Sequence, residues 1–369
     1  MKTSETVKKW LVEQGGVEGP LVLGETAFHH FGGNAGEKAE DMAGSQNQAG
    51  SDAVVVPLPL FTRLRATGSD CARFLHNFCT NNVKALSPGQ SCEAFFTDAK
   101  ARVLAHGWIL AGEAEHEIWM LNPDAGALCE HLNKYIIMDD VAVETLSTPV
   151  AGFAICGTRI QDALVASQNT EAANALANSC GQSVINGLHG SIRWLKPSLS
   201  EGEAVIFSLP EEDVVSVLQD WMASGIMLAG YPRFDLLRIR DRLPVFGIDL
   251  LSDTMAPEAD RNKRSISYSK GCYLGQEPIA RIDAMGHVNK CIRRLTLDSG
   301  DISQFDWTGA SVQSVDGEAL GKISSWQQSS PTTVEALAML RTRDSCAGTG
   351  VRVLCGVNAV SAVVVKSGE

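Results

Sequence analysis

The sequence predicts an α+β protein of several units, with mixed α/β segments in its N-terminal and middle parts and a small β-barrel at its C-terminal end. Three observations carry that expectation. Between residues 53 and 225, strand-like runs and amphipathic helices mix without the strict strand–helix–strand rhythm of a parallel sheet. Beyond Met285-Gly286, six short apolar runs are separated by Gly and Ser clusters at the spacing of a small barrel. The length, 369 residues, is enough for two or three domains.

The elements follow in order. Residues 4–14 read as a short helix capped by Ser4, with Val7, Trp10 and Leu11 on one face. Residues 32–52, rich in Gly, Ala and polar side chains without periodicity, read as a mobile loop. Val54 to Ala66 is extended and broken by Pro57 and Pro59. Ser69 then N-caps a helix whose apolar face is Ala72, Phe74, Leu75 and Phe78. Cys92–Thr97 and Arg102–Leu110 form a hairpin, and Glu117–Leu121 a further strand. Pro123 opens a helix carrying Ala125, Leu128, Leu132, Tyr135 and Ile136. From 150, strands at 151–156, 190–195 and 203–208 accompany helices near 158–167, 170–180 and 211–223. The last is well marked: Pro210 precedes it, and Glu211, Glu212 and Asp213 suit its positive end. Pro232 starts a helix bearing Leu236, Leu237 and Ile239, which Leu243-Pro244 ends. The barrel strands are 292–297, 311–315, 322–326, 334–341, 351–355 and 359–366.

Composition excludes several function classes. A net charge of −12 argues against a broad nucleic-acid or anionic-membrane surface. Ten scattered Cys without a Cys-x-x-Cys pair speak for a reducing compartment rather than a disulfide framework or a preformed zinc site. His29-His30 lacks a second ligand pair, so no metal is assigned. No apolar run approaches the ~18 residues of a membrane span. There is no Arg before Arg63, whereas Glu5, Glu13, Glu18 and Glu25 come early, which argues against a mitochondrial transit peptide; a soluble cytoplasmic protein is expected, and a monomer. Glycine motifs for dinucleotides or phosphate loops are absent, as are the hydrolase and zinc-deaminase patterns.

The chemistry concentrates in residues 270–281. Lys270, Cys272, Tyr273, Gln276, Glu277 and Arg281 place a cation, a thiol, a phenol, an amide, a carboxylate and a guanidinium within twelve residues. Gly271 and Gly275 allow tight turns or a close backbone approach to a ligand. Lys270 and Arg281 are near enough in sequence to favour the Cys272 thiolate if they fold against it. A buried, inert Cys272 in an ordinary turn is the competing reading.

Lys-Gly-Cys-Tyr-x-Gly-Gln-Glu resembles the signature of the YgfZ-type folate-binding proteins. These are relatives of the glycine-cleavage T-protein linked to iron–sulfur cluster assembly and repair. The stretch from Gly68 to Leu104 is similar to the opening of the same superfamily. "LRIRDRLPVFGID" (237–249) is similar to its Leu-Arg-x-x-x-Gly-x-Pro…Gly-x-Asp run, with Arg242 where a Gly is usual. The resemblance implies a T-protein-like fold of four parts. An extension spans 1–52 and a first domain 53–149. A second domain, 150–284, returns the signature to the first, and the barrel spans 285–369. It further implies a tetrahydrofolate or related folate as cofactor, with Tyr273 stacking, Asn122 and Glu277 on the pterin edge and Arg238 on the carboxylate tail. Gly275, Gln276 and Arg281 belong to the same motif. Cys272, with Lys270 beside it, would act as a thiolate toward a cluster, a persulfide or the thiol of a transient iron–sulfur assembly or client protein. One Cys alone cannot hold a cluster.

Two alternatives stay open. One is a folate-dependent aminomethyltransferase. The family's paired Asp is replaced by Ala105 and His106, and 198–204 matches the family poorly. His106 is a candidate base, set against a surface strand histidine. The other is a non-catalytic interaction scaffold. A net +4 between 233 and 294, twelve basic residues against eight acidic, is expected to suit an anionic ligand.

Overall fold

The computed structural model describes residues 5–21, 26–31, 53–122, 124–146, 150–157, 160–161, 180–184, 191–199, 202–298, 305–356 and 358–366. The loop expected at 32–52 lies outside them, as does nearly all of the helices expected at 158–167 and 170–180. Cys180 itself is described and starts a strand.

The chain opens with α1 (Glu5–Glu13) and a hairpin of β1 (Gly16–Pro20) and β2 (Thr26–Phe31). β3 (Ala53–Pro57), β4 (Phe61–Thr67), α2 (Cys71–Phe78), β5 (Ser91–Thr97), β6 (Val103–Ala111), β7 (Glu115–Leu121), α3 (Gly126–Asn133) and β8 (Ala142–Thr145) follow. The middle part holds β9 (Val150–Gly157), β10 (Cys180–Val184), β11 (Ser191–Leu195), β12 (Ala204–Pro210), α4 (Val214–Ala223), β13 (Met227–Leu228), α5 (Tyr231–Arg240), α6 (Asn262–Ser265) and α7 (Gln276–Met285). The last strands are β14 (Lys290–Asp298), β15 (Ser311–Ser314), β16 (Ala319–Ser330), β17 (Thr333–Arg341), β18 (Gly350–Cys355) and β19 (Asn358–Val364).

Two sheets lie face to face. One is ordered β5-β6-β7-β4-β8, the other β10-β11-β12-β9-β3-β13. Their two-residue alternation sorts the side chains by layer. On β9, Phe153 and Ile155 pack outward with Phe207, Trp221 and the α1 residues Val7 and Leu11. Ala154 and Cys156 point the other way, toward Phe61, Trp119 and Leu121 of the facing sheet. On β7, Ile118 and Met120 close the far side against Phe74 and Leu75 of α2 and Leu128 of α3. The result is helix, sheet, sheet, helix. β14-β17-β16-β15-β18-β19 close as a barrel around Trp307, Leu295 and Val353. A smaller cluster joins everything: Phe95, Ile239, Tyr273, Ile279, Ile292 and Leu337 come from both halves and the barrel. Among the described residues no helix is long and apolar enough to cross a membrane.

Three local expectations are corrected, and a fourth observation is explained. β3 joins the second sheet, paired with β9 and in parallel with β13, so residues 53–57 lie in a different sheet from β4 although Val56 packs against Phe61 and Trp119. Ser69 does not cap α2. Its N–H and Oγ both bond Asp140 Oδ2, and Asp70 occupies the cap position. α7 forms where only turn chemistry was read, because Pro278 lies in the helix's first turn, where its missing N–H costs nothing. Arg242 has φ 55°, the left-handed region in which Gly is favoured. That is the physical reason a Gly is usual there; here the side chain is held by Asp260 Oδ2 at 2.5 Å.

Candidate functional site

The signature loop, residues 270–275, is fastened at both ends and open in its middle. Lys270 is buried and turned inward. Its Nζ donates to the carbonyl oxygens of His76 (2.5 Å), Cys79 (2.7 Å) and Asn81 (2.7 Å). An ammonium has three donors, and these carbonyls, at and just past the C-terminal end of α2, are the ones a helix leaves without partners. A cation also suits that end of the helix dipole. Nζ lies 4.7 Å from the centroid of the Tyr273 ring. Lys270 is therefore a clamp with no proton left for Cys272, contrary to the flanking role expected of it.

The second fastening is Gly275. Its φ is 85°, and a Cβ there would stand 2.5 Å from Asp98 O and from Thr97 Oγ1. Only glycine meets both demands. Thr97 Oγ1 donates to Leu274 O at 2.9 Å, and Leu274 N–H donates to Asn77 O at 2.9 Å. The loop is thus pinned onto α2 on one side and onto the β5–β6 turn on the other. Tyr273 is buried between them, and burial pushes its phenol above the usual range.

Between the fastenings, Gly271 and Cys272 are exposed. Five other thiols (Cys71, Cys79, Cys156, Cys180, Cys291) are buried, and burial raises each, Cys71 and Cys180 to about 11 and Cys156 to about 12. Beyond the loop, Gln276 and Glu277 begin α7. The side chains of Glu277 and Arg281 are 87% and 71% exposed and pair at 3.6 Å, a solvated contact worth tenths of a kcal/mol.

Arg238 and Asn122 lie elsewhere. No hydrogen bond or ion pair joins either to residues 270–281 among the described residues. Arg238 is 2% exposed, and its guanidinium is turned to internal partners. Nε donates to Asp235 (2.5 Å), Nη1 to Asp249 (2.8 Å) and Nη2 to Ser325 Oγ on β16 (2.8 Å). Burial alone would lower its pKa, but Asp235 and Asp249 more than offset it and hold the charge. With a fourth bond from Nη1 to Leu243 O (3.3 Å), it fastens α5 to the barrel and is committed to internal partners rather than to a ligand carboxylate. The basic excess of 233–294 goes the same way: Arg242 and Arg293 pair with Asp260, Arg261 with Glu93 and Asp241, Arg264 with Asp241 and Arg294 with Glu335. An internal lattice of ion pairs, rather than a surface for anions, absorbs it.

Asn122 ends β7. Its Oδ1 accepts the Asp124 N–H at 2.9 Å in an Asx turn, and its Nδ2 has no partner among the described residues. Ala105 is fully buried. His106 is buried too, not a surface histidine, and its Nε2 lies 2.8 Å from Glu93 Oε1. Burial would raise the Glu93 carboxyl, but Arg261, bonded to both oxygens, and His106 hold it well below the usual range. Arg233 was missed by the sequence reading. Its Nε is buried with no hydrogen-bond partner. A cation on the α5 turn nearest the Trp108, Tyr231 and Phe234 cluster was the available signal.

No protein-family model matches the chain. A chloroplastic "putative transferase" of Arabidopsis thaliana is 29% identical over 282 residues, 74% of this chain and 61% of that protein. The chain thus spans less than two thirds of that relative's length. The human mitochondrial iron-sulfur cluster assembly factor IBA57 is 27% identical over 284 residues, 72% of each. The crystal structure of the glycine cleavage system aminomethyltransferase T of Bartonella henselae superposes with a TM-score of 0.79 at 15% identity, covering 98% of this chain and 96% of that one. The chain therefore has the fold of aminomethyltransferase T, with mixed α/β layers and a closed C-terminal barrel.

Proposed function

We propose that this protein is a folate-binding accessory factor of iron–sulfur cluster assembly or repair, with Cys272 as its working thiol. One observation carries the reading: Cys272 is exposed on a loop whose two neighbouring segments are immobilised by Lys270 and Gly275. Such a loop holds a reactive group at a fixed place on the surface, which a buried structural Cys does not need. Similarity to an iron-sulfur cluster assembly factor supports the process, and transient assembly or client proteins are the implied partners.

The residues present fit a planar heterocycle with an anionic tail. Trp108, Trp119, Tyr231 and Phe234 form one apolar cluster between the sheets. Asn122, next to Leu121 of that cluster, has an amide NH2 without a partner among the described residues, and Arg233, between Tyr231 and Phe234 on α5, has a buried Nε without one. Asn122 would bond the heterocycle and Arg233 the tail, in place of Arg238. A bound tetrahydrofolate supplies a carrier for one-carbon units. Gln276, Glu277 and Arg281 stand as motif residues for partner contact around Cys272.

The aminomethyltransferase reading is favoured by the fold and by the description of the Arabidopsis relative. Against it, no free base stands where the family carries its carboxylates. Ala105 is buried, and Glu93, on the neighbouring strand and bonded to His106, is locked to Arg261. Calorimetric titration with tetrahydrofolate tests the proposal. Saturable binding, weakened several-fold in Asn122→Ala, is expected. No heat and no saturation would leave the interaction scaffold. Sustained turnover with a lipoyl-bound aminomethyl donor would favour the transferase. Fractionation and light scattering of the purified chain test the cytoplasmic location and monomeric state that complete the proposal.

A further inference from the structure

Beneath Gly271 lies a side chain the signature does not contain. His76, in the last turn of α2, is 5% exposed, and its Nδ1 is buried without a hydrogen-bond partner. Its Nε2 has no partner among the described residues either, and it faces the loop: a Cβ built on Gly271 would have that nitrogen as its nearest neighbour, at 4.0 Å. The absence of a side chain at 271 leaves Nε2 open toward the residue that follows, Cys272, whose thiol is exposed. A buried ring nitrogen left unused, beside a second one without a protein partner, is uncommon, because buried polar groups usually find partners. It requires a reason.

We propose that His76 is the positioning residue of Cys272: its neutral imidazole donates Nε2–H to the Cys272 thiolate through the gap at Gly271. This inference rests on the reading of Cys272 as the working thiol. The hydrogen bond favours the charged form of the sulfur; the thiol proton leaves to solvent. The imidazole stays neutral across the physiological range. Burial lowers its pKa to about 4, helped by Lys270 from the loop and Lys84 from the turn after α2. Both cations also favour an anion above the ring. Cys79 and Cys92 lie beyond Lys270, and Tyr268 beside Tyr273. A doubly protonated His76 is unnecessary, since one N–H suffices to donate.

The test uses the full chain with neither folate nor cluster. Alkylation by iodoacetamide, in which the thiolate forms the S–C bond and iodide leaves, is followed site by site from pH 6 to 10 by peptide mass spectrometry. Cys346, the other exposed thiol, is the control in the same tube. Cys272 is expected to titrate below Cys346. In His76→Phe the Cys272 midpoint moves up by about one pH unit, so alkylation at neutral pH slows roughly tenfold, while Cys346 is unchanged. His76→Gln, which keeps an N–H at similar reach, recovers part of the rate. Gly271→Ala, whose methyl meets only Nε2, shifts Cys272 in the same direction without touching the core. A His76 variant that unfolds shows itself by alkylation of Cys71 and Cys79, and Gly271→Ala then decides. Superimposable Cys272 profiles in the wild type, Gly271→Ala and the folded His76 variants overturn the proposal. Failure of the functional reading appears separately, as a Cys272→Ala protein that still works in cells.

Discussion

Two parts of the basic stretch 233–294 carry the same kinds of residue and use them in opposite ways. Around Arg238, every charged group is satisfied inside the protein: Asp235, Asp249 and Ser325 take the guanidinium, and α5 is locked to the barrel. Around Cys272, the charge and the glycines hold the chain still so that one group stays outside. Lys270 and Gly275 are the fastenings, and the thiol between them has no fold to support. The Arg238 contacts are met inside the protein, whereas Arg233 Nε and His76 Nδ1 are buried without a partner, and these two are the groups to which the proposals assign a ligand or partner.

That contrast breaks first at Arg238. Arg238→Ala leaves two buried carboxylates without their counter-charge and should cost about 3–5 kcal/mol of stability, read as a lower urea midpoint; a loss below ~1 kcal/mol would mean the clamp is not needed. Gly275→Ala forces a Cβ into Asp98 O at a φ of 85°, with an expected loss of about 1–3 kcal/mol. Here the loop should also loosen, seen as faster proteolysis after Lys270 or Arg281. Arg242 sharpens the comparison through its backbone. Arg242→Gly and Arg242→Ala both lose the Asp260 pair, but only Gly relieves the left-handed strain. Denaturation should find Arg242→Gly the more stable by about 1 kcal/mol.

A further effect is a pH dependence. The His76 pKa falls from about 6.5 in the unfolded chain to about 4 in the fold. The unfolded state binds more protons between those values, so the contribution is complete above pH 6.5 and is lost as pH drops toward 4. His76→Gln should flatten that limb of the acid unfolding curve, and an unchanged limb would remove His76 as its source.

What was legible in the sequence follows from range. The barrel strands and α4 were readable because their periodicity and end signals are local: Pro210, Glu211 and Glu212 announce the helix, and Gly and Ser clusters bound the strands. α7 was not, since Pro278 and two glycines read as turn until the first-turn position of the proline is known. The partner of Arg261 lies 168 residues away on β5, and no local pattern signals such a pair. The same holds for β3, whose neighbours β9 and β13 come from the middle of the chain. At the site, the glycine turns were readable from the signature, whereas the exposure of Cys272 was left open against a buried thiol. The inward turn of Lys270 was not, because its acceptors are carbonyls of a helix end some 190 residues earlier. His76 carried no signal beyond a lone histidine on a helix.

The account turns on Cys272 having a function and no packing role. Replacing Cys272 by Ala and measuring, on the same preparation, its denaturation curve, its tetrahydrofolate binding and its capacity to restore iron–sulfur enzyme activity in deficient cells addresses that directly. The expected result is a stability change within about 0.5 kcal/mol, unaltered folate binding and no restoration. Full restoration, or a variant that fails to fold, would contradict it.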